Sequence, residues 1–161
     1  MIFVTVGQYL PFDRLTKTVD KWAMLRDYTD IFAQIGRTAW SPRHMKWARF
    51  IKPEEFEQKM KEATTIVAHA GAGTILKALE LGKPVLVMPR FVKFHETNTE
   101  HQLYMAERFQ DLGLATVAID ENDLMVKLDR LHELRAPAPI PTIASSRLIQ
   151  VIHDFVNLRD P

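Results

Sequence analysis

The sequence predicts a doubly wound α/β domain with a mainly parallel, six-stranded sheet, and three observations carry that expectation. Short β-branched runs alternate with longer segments of helical period, the pattern of parallel strands joined by crossover helices. The chain has 161 residues, 47% of them hydrophobic, which suffices for one core and falls short of two ordinary domains. A glycine-rich turn, Val67-Ala68-His69-Ala70-Gly71-Ala72-Gly73-Thr74-Ile75-Leu76, joins an apolar strand directly to a helix.

The elements follow in order. Residues 2–6 are apolar and β-branched and make the first strand, broken at Gly7. Leu15, Val19, Trp22 and Ala23 then recur at helical spacing, with Trp22 on the core face. Residues 30–35 read as the second strand, closed by Gly36, and a loop runs over 37–46. Residues 47–51 form a short third strand, and Pro53-Glu54-Glu55 opens a helix with proline and acids in its first turn. Residues 64–68 are the fourth strand, and the helix after the glycine turn stops at Gly82-Lys83-Pro84. Residues 85–88 make the fifth strand, 90–98 are irregular, 99–112 are helical up to Gly113, and 115–119 make the sixth strand. Asp120 caps a helix running to about residue 134. The prolines of 136–141 interrupt it, and 142–158 carries Ile143, Leu148, Ile149, Ile152 and Phe155 at helical spacing. The division is therefore a domain over 1–135 and, over 136–161, a proline-rich linker with a helix that packs on the body or on a partner. The strand order expected is 3-2-1-4-5-6. Ligands of such sheets sit beyond the carboxyl ends of the strands near the switch point, which collects Gly7, Gly36, residues 69–74 and the Arg90 tract along one edge.

Charge and composition exclude some functions. Twenty-one basic against twenty acidic residues give a net charge of +1, without the basic excess of a nucleic-acid binder. There is no cysteine, so neither disulfides nor zinc–thiolate sites are available, and a reducing compartment fits. The apolar start lacks a basic leader and is too short to span a bilayer, so it reads as a strand and not a targeting signal.

The glycine turn carries the chemistry. Bare N–H groups and the positive end of the helix dipole favour an anion there, and missing side chains let it approach. The turn matches the opening of a dinucleotide fingerprint, but Leu76 replaces the third glycine and the motif follows the fourth strand, so an NAD enzyme is a weak alternative. Tight strand–helix packing without a ligand is the plainer one. His69 ahead of the glycines can donate to a phosphate or bond neighbouring backbone.

The strings His69-Ala70-Gly71-Ala72-Gly73-Thr74, Glu80-Leu81-Gly82-Lys83-Pro84 and His101-Gln102 resemble glycosyltransferase family 28. More narrowly, they are similar to the small catalytic subunits of bacterial exopolysaccharide glucuronosyltransferases and of the eukaryotic dolichol-linked N-acetylglucosaminyltransferase. Val4-Thr5-Val6-Gly7, Pro11-Phe12-Asp13-Arg14-Leu15, Phe32-Ala33-Gln34-Ile35-Gly36 and Val87-Met88-Pro89-Arg90 extend the likeness from residue 1 to about 125. The resemblance implies the donor-binding, Rossmann-like half of a GT-B fold. It also implies a UDP-sugar, glucuronate among the candidates, as donor and a polyprenyl-diphosphate-linked acceptor presented by a separate, membrane-anchored subunit. The chain would then work in the cytoplasm at the inner membrane face. By the same resemblance Gly71, Ala72, Gly73 and Thr74 cradle the diphosphate and His69 touches it. Gly7 and Gln8 form the first glycine loop, and the Ile51 backbone reads uracil. Gln102, with His101, Glu100 and Arg90 beside it, meets the donor sugar. Many relatives place a ribose-binding glutamate where this chain has Lys77, and Glu80 is the nearby substitute. The bacterial group usually reads Glu-His-x-Asn-Asp-His-Gln where this chain has Glu96-Thr97-Asn98-Thr99-Glu100-His101-Gln102, and Thr-Gln where it has Gln8-Tyr9.

In inverting transfer the leaving UDP gains negative charge, which preorganised N–H groups stabilise in place of a divalent metal. No cofactor and no metal are therefore expected. His95 and His101 stand six apart, off one helical face, which argues against a metal site there. The general base is expected on the acceptor subunit. A non-catalytic nucleotide-sugar-binding module regulating polysaccharide assembly is the alternative function. Arg90-Phe91-Val92-Lys93-Phe94 either contacts an acceptor or partner or packs partly into the core.

Overall fold

The computed structural model of the chain describes residues 1–139 and 146–157. Six parallel strands, β1 (Ile2–Thr5), β2 (Ile31–Gln34), β3 (Lys46–Ala48), β4 (Thr65–His69), β5 (Val85–Met88) and β6 (Thr116–Val117), pair in the order β3-β2-β1-β4-β5-β6. Helices α1 (Asp13–Arg26), α2 (Pro53–Glu62), α3 (Ala72–Glu80), α4 (His101–Asp111), α5 (Glu121–Asp129) and α6 (Ser146–Asn157) connect or follow them. The expected order and fold class are both met.

The central strands are apolar except near their ends, at Thr5, Gln34, Thr65 and His69, because both faces are covered. Val4 and Val6 point into a core with Leu15, Val19 and Trp22 of α1 and Leu124 and Leu128 of α5. Phe3, Ile66 and Ala68 point the other way, onto Met60 of α2, Ile75 and Leu79 of α3 and Phe109 of α4. Asp129 clasps α1 to α5, accepting from Trp22 Nε1 at 2.8 Å and Arg26 Nε at 2.7 Å. The Arg26 hydrogen bond, then that of Trp22, holds its carboxyl down at about 2.

Several boundaries depart from the sequence reading, β6 among them, which spans only Thr116–Val117 of the expected 115–119. The helix expected over 120–134 stops at Asp129, and a 3₁₀ turn, Leu131–Glu133, follows. From this turn Leu131 and Leu134 pack against the α1/α5 core. Strand β3 ends at Ala48, short of the expected residue 51, so Ile51 lies in the loop that delivers α2. Helix α4 starts at His101, two residues later than expected, after a loop in which Glu96 pairs with Arg14. Of the tail helix expected over 142–158, α6 covers Ser146–Asn157, and the remaining residues lie outside those described. Ile149 and Val151 of α6 are exposed. Among the described residues no helix is long and apolar enough to cross a membrane.

Candidate functional site

At the carboxyl ends of the strands, a cavity of about 320 Å³ is lined by Thr5, Gly7, Gln8, Gln34, Ile51, Pro53, Phe56, Gly73 and Thr74. One wall is the start of α3. Gly71 occupies its N-cap position in an extended conformation, and no side chain caps the helix. The first backbone bond back into the turn runs from Ile75 N–H to the Gly71 carbonyl, so the N–H groups of Ala72, Gly73 and Thr74 precede it and have no intrahelical acceptor. Among the described residues nothing lies within 4 Å of where a Cβ on Gly73 would stand. Packing therefore does not require glycine at 73, whereas an approaching anion does. A larger cavity of about 460 Å³ lies at the opposite end of the sheet, between Ile2, Thr64, Pro84 and Leu131, where none of the glycine turns reaches.

His69 closes β4, and its ring is wedged between the two glycine loops. A Cβ on Gly71 would stand 2.3 Å from Nε2 and one on Gly7, where φ is +75°, 3.0 Å from Cε1. Glycine at both positions is thus the condition for the imidazole to sit there. Desolvation, with the positive charge of Arg90 second, lowers its pKa to about 4, so the ring is neutral near pH 7. The Thr5 carbonyl partly opposes that shift. Nδ1 is nevertheless buried without a hydrogen-bond partner among the described residues. A neutral imidazole can hydrogen-bond a phosphate while adding no charge to the site.

Two arginines fix the loops beside the cavity. Arg90 is 3% exposed, and its guanidinium donates to the carbonyls of Val6 and Leu10, both at 2.7 Å, and of Pro11 at 3.4 Å. It thereby fastens the first glycine loop to the end of β5. Burial lowers its pKa to about 10, still well above neutrality. Gln102 accepts from the Arg90 backbone N–H at 3.2 Å, so the side chain expected at the sugar braces this loop. Arg14 makes a two-pronged pair with Glu96, at 2.9 Å on each side, and also reaches the Pro89 carbonyl. Phe12, Phe91 and Phe94 surround its guanidinium at 4.9–5.4 Å from the ring centroids. The tract 90–94 is thus a braced loop, with Phe94 about half exposed.

The other expected residues stand outside the cavity lining. Lys77 Nζ pairs with Glu80 at 3.4 Å and Glu57 at 3.8 Å, so both residues considered for the ribose belong to a surface ion-pair group. His101 is exposed at the start of α4, and Glu100 keeps one buried carboxylate oxygen, Oε2, without a partner among the described residues. Among the described residues no three His, Cys, Asp or Glu side chains gather as a metal site. Sequence reasoning missed Thr5, Gln34, Pro53 and Phe56 in the cavity wall. The available signal was polarity at the carboxyl ends of two otherwise apolar strands, where Thr5 and Gln34 stand opposite each other in the β1–β2 register.

A parallel 3-2-1-4-5-6 sheet with an uncapped helix start at its switch point defines a Rossmann-like α/β domain. The model of the glycosyltransferase family 28 C-terminal domain matches residues 1–141, and the chain belongs to that family. It is 29% identical over 122 residues to the human UDP-N-acetylglucosamine transferase subunit ALG13, a match covering 70% of this chain and 10% of that protein. The Candida glabrata protein of the same name is 40% identical over 67 residues, which are 39% of this chain and 32% of that protein. The chain thus spans from a tenth to a third of the curated relatives it matches. The solution structure of ALG13 superposes with a TM-score of 0.60 at 19% identity, covering 86% of this chain and 89% of that one. The UDP-GlcNAc 2-epimerase of Neisseria meningitidis bound to UDP-GlcNAc gives 0.63 at 12% identity, covering 98% and 44%, and at such identities the likeness shows fold alone.

Proposed function

We propose that this chain is the donor-binding, catalytic subunit of an inverting glycosyltransferase that uses a UDP-sugar. Its acceptor is a polyprenyl-diphosphate-linked sugar of exopolysaccharide assembly, presented at the cytoplasmic membrane face by a membrane-anchored partner. The observation that carries the reading is the uncapped start of α3 with open space above Gly73, beside a cavity of about 320 Å³ that ends at Ile51. In this reading uracil lies against Ile51, Pro53 and Phe56, and the diphosphate meets the N–H groups of Ala72, Gly73 and Thr74, with His69 alongside.

The acceptor oxygen attacks the anomeric carbon, the bond from that carbon to the UDP oxygen breaks, and the acceptor proton passes to a base on the partner. Charge growing on the departing diphosphate is met by N–H groups already oriented toward it, which is where this chain lowers the barrier. A divalent metal has no required part in that scheme. The relatives named for a UDP-N-acetylglucosamine transferase subunit favour a UDP-sugar over other nucleotides. Calorimetry with UDP and a panel of UDP-sugars tests the reading. The wild type binds UDP, and His69→Ala and Gly73→Val weaken binding and slow transfer by the reconstituted pair. No UDP binding by the folded chain refutes it.

A further inference from the structure

Gln34 is 2% exposed, ends β2, and belongs to the wall of the cavity. A short relay fixes its carboxamide. Gly7 N–H donates to Thr5 Oγ1 at 3.3 Å, and the Thr5 hydroxyl donates to Gln34 Oε1 at 2.8 Å. The oxygen of the amide is thereby engaged and its NH₂ group is left without a hydrogen-bond partner among the described residues. The amide nitrogen is not sealed in the core, so its two N–H donors are available to something in the cavity that accepts from them.

The strand order says what that something is. Starting from the reading that the base lies at Ile51 beyond β3 and the diphosphate at the loop after β4, the ligand crosses β2 and β1 between them. Neighbouring strands stand about 4.8 Å apart, so three intervals span about 14 Å, on the scale of a nucleoside diphosphate. The part of the ligand over β2 is the sugar of the nucleoside. Lys77 and Glu80, the residues considered for it from the sequence, are paired with each other outside the cavity lining.

We propose that Gln34 reads the ribose, its NH₂ donating to a ribose hydroxyl oxygen, with Thr5 as the residue that holds the amide in that orientation. The contact distinguishes ribose from its deoxy analogues by one neutral hydrogen bond. It rests on the donor-site reading above and deepens it.

Calorimetry with UDP and 2′,3′-dideoxy-UDP on the full chain tests this. The wild type binds UDP about fivefold or more tighter than the dideoxy compound, the effect of one neutral hydrogen bond. Gln34→Met keeps the length of the side chain and removes the donor, so UDP weakens by that factor and the gap between the ligands closes. Because Gln34→Met leaves the Thr5 hydroxyl without an acceptor, the double variant Thr5→Val/Gln34→Met, which removes both partners, is measured beside it, with thermal unfolding of each apo protein as the check on folding. Thr5→Val alone keeps the amide but frees it to turn, and narrows the gap in part. Wild-type UDP binding with an undiminished gap in the folded Gln34 variants overturns the proposal while leaving the donor site standing. A wild type that binds no UDP overturns both.

Discussion

Acidification should unfold this protein through His69. In the unfolded chain the ring titrates at 6.5, and in the folded chain burial and the charge of Arg90 lower it to about 4. Between those values the unfolded state binds more protons, so stability is full above the unfolded pKa and declines as pH falls through the window. The whole shift corresponds to about 3 kcal/mol, of which about 2 kcal/mol is lost by pH 5. Urea unfolding of wild type and His69→Gln at pH 7.5, 6 and 5 measures it. The difference between the two stabilities changes by about 2 kcal/mol over that range, because every other titrating group is common to both. A lower baseline for the variant does not matter, since the slopes are compared. Parallel pH profiles would refute the reasoning and show that the wedged ring is solvated or partnered enough to ionise normally.

The two glycines of the turn should separate by assay. Gly71→Ala forces a Cβ to 2.3 Å from the His69 ring and costs about 1–3 kcal/mol of stability as well as UDP affinity. Gly73→Ala meets no protein atom, so the melting temperature holds or rises while UDP affinity falls. Arg14→Ala strands Glu96, and since both side chains are only about a tenth exposed, the loss in urea unfolding is about 3 kcal/mol, most of it recovered by the double variant with Glu96→Gln. Turnover by the reconstituted pair is unchanged by EDTA, whereas a metal-dependent transfer would stop.

The sheet was legible because each central strand is apolar on both faces, a pattern that burial under two helical layers demands. The turn at 71–74 was legible because glycine there has a local purpose. The misread boundaries depend on distant partners. Asp129 ends α5 where Trp22 and Arg26 clasp it, and Glu96 is held ahead of α4 by Arg14, 82 positions earlier. Gln34 escaped notice for the same reason: its meaning lies in Thr5, 29 residues away, and in a neighbouring strand that period and composition do not reveal. Lys77 and Glu80 were singled out by position in the chain, and the structure pairs their side chains with each other.

Arg90 has a wider consequence than holding a loop. Its side chain ends on three carbonyl oxygens and no carboxylate, and Glu96, whose charge acts on it, pairs with Arg14, which also pairs with Glu121. The guanidinium therefore stays charged beneath the first glycine loop, with little water to screen it. The same charge that discourages a proton on His69 would also draw a diphosphate toward the switch point in the proposed donor site. Association of UDP should accordingly slow as salt is raised, a kinetic signature of long-range steering by this cation.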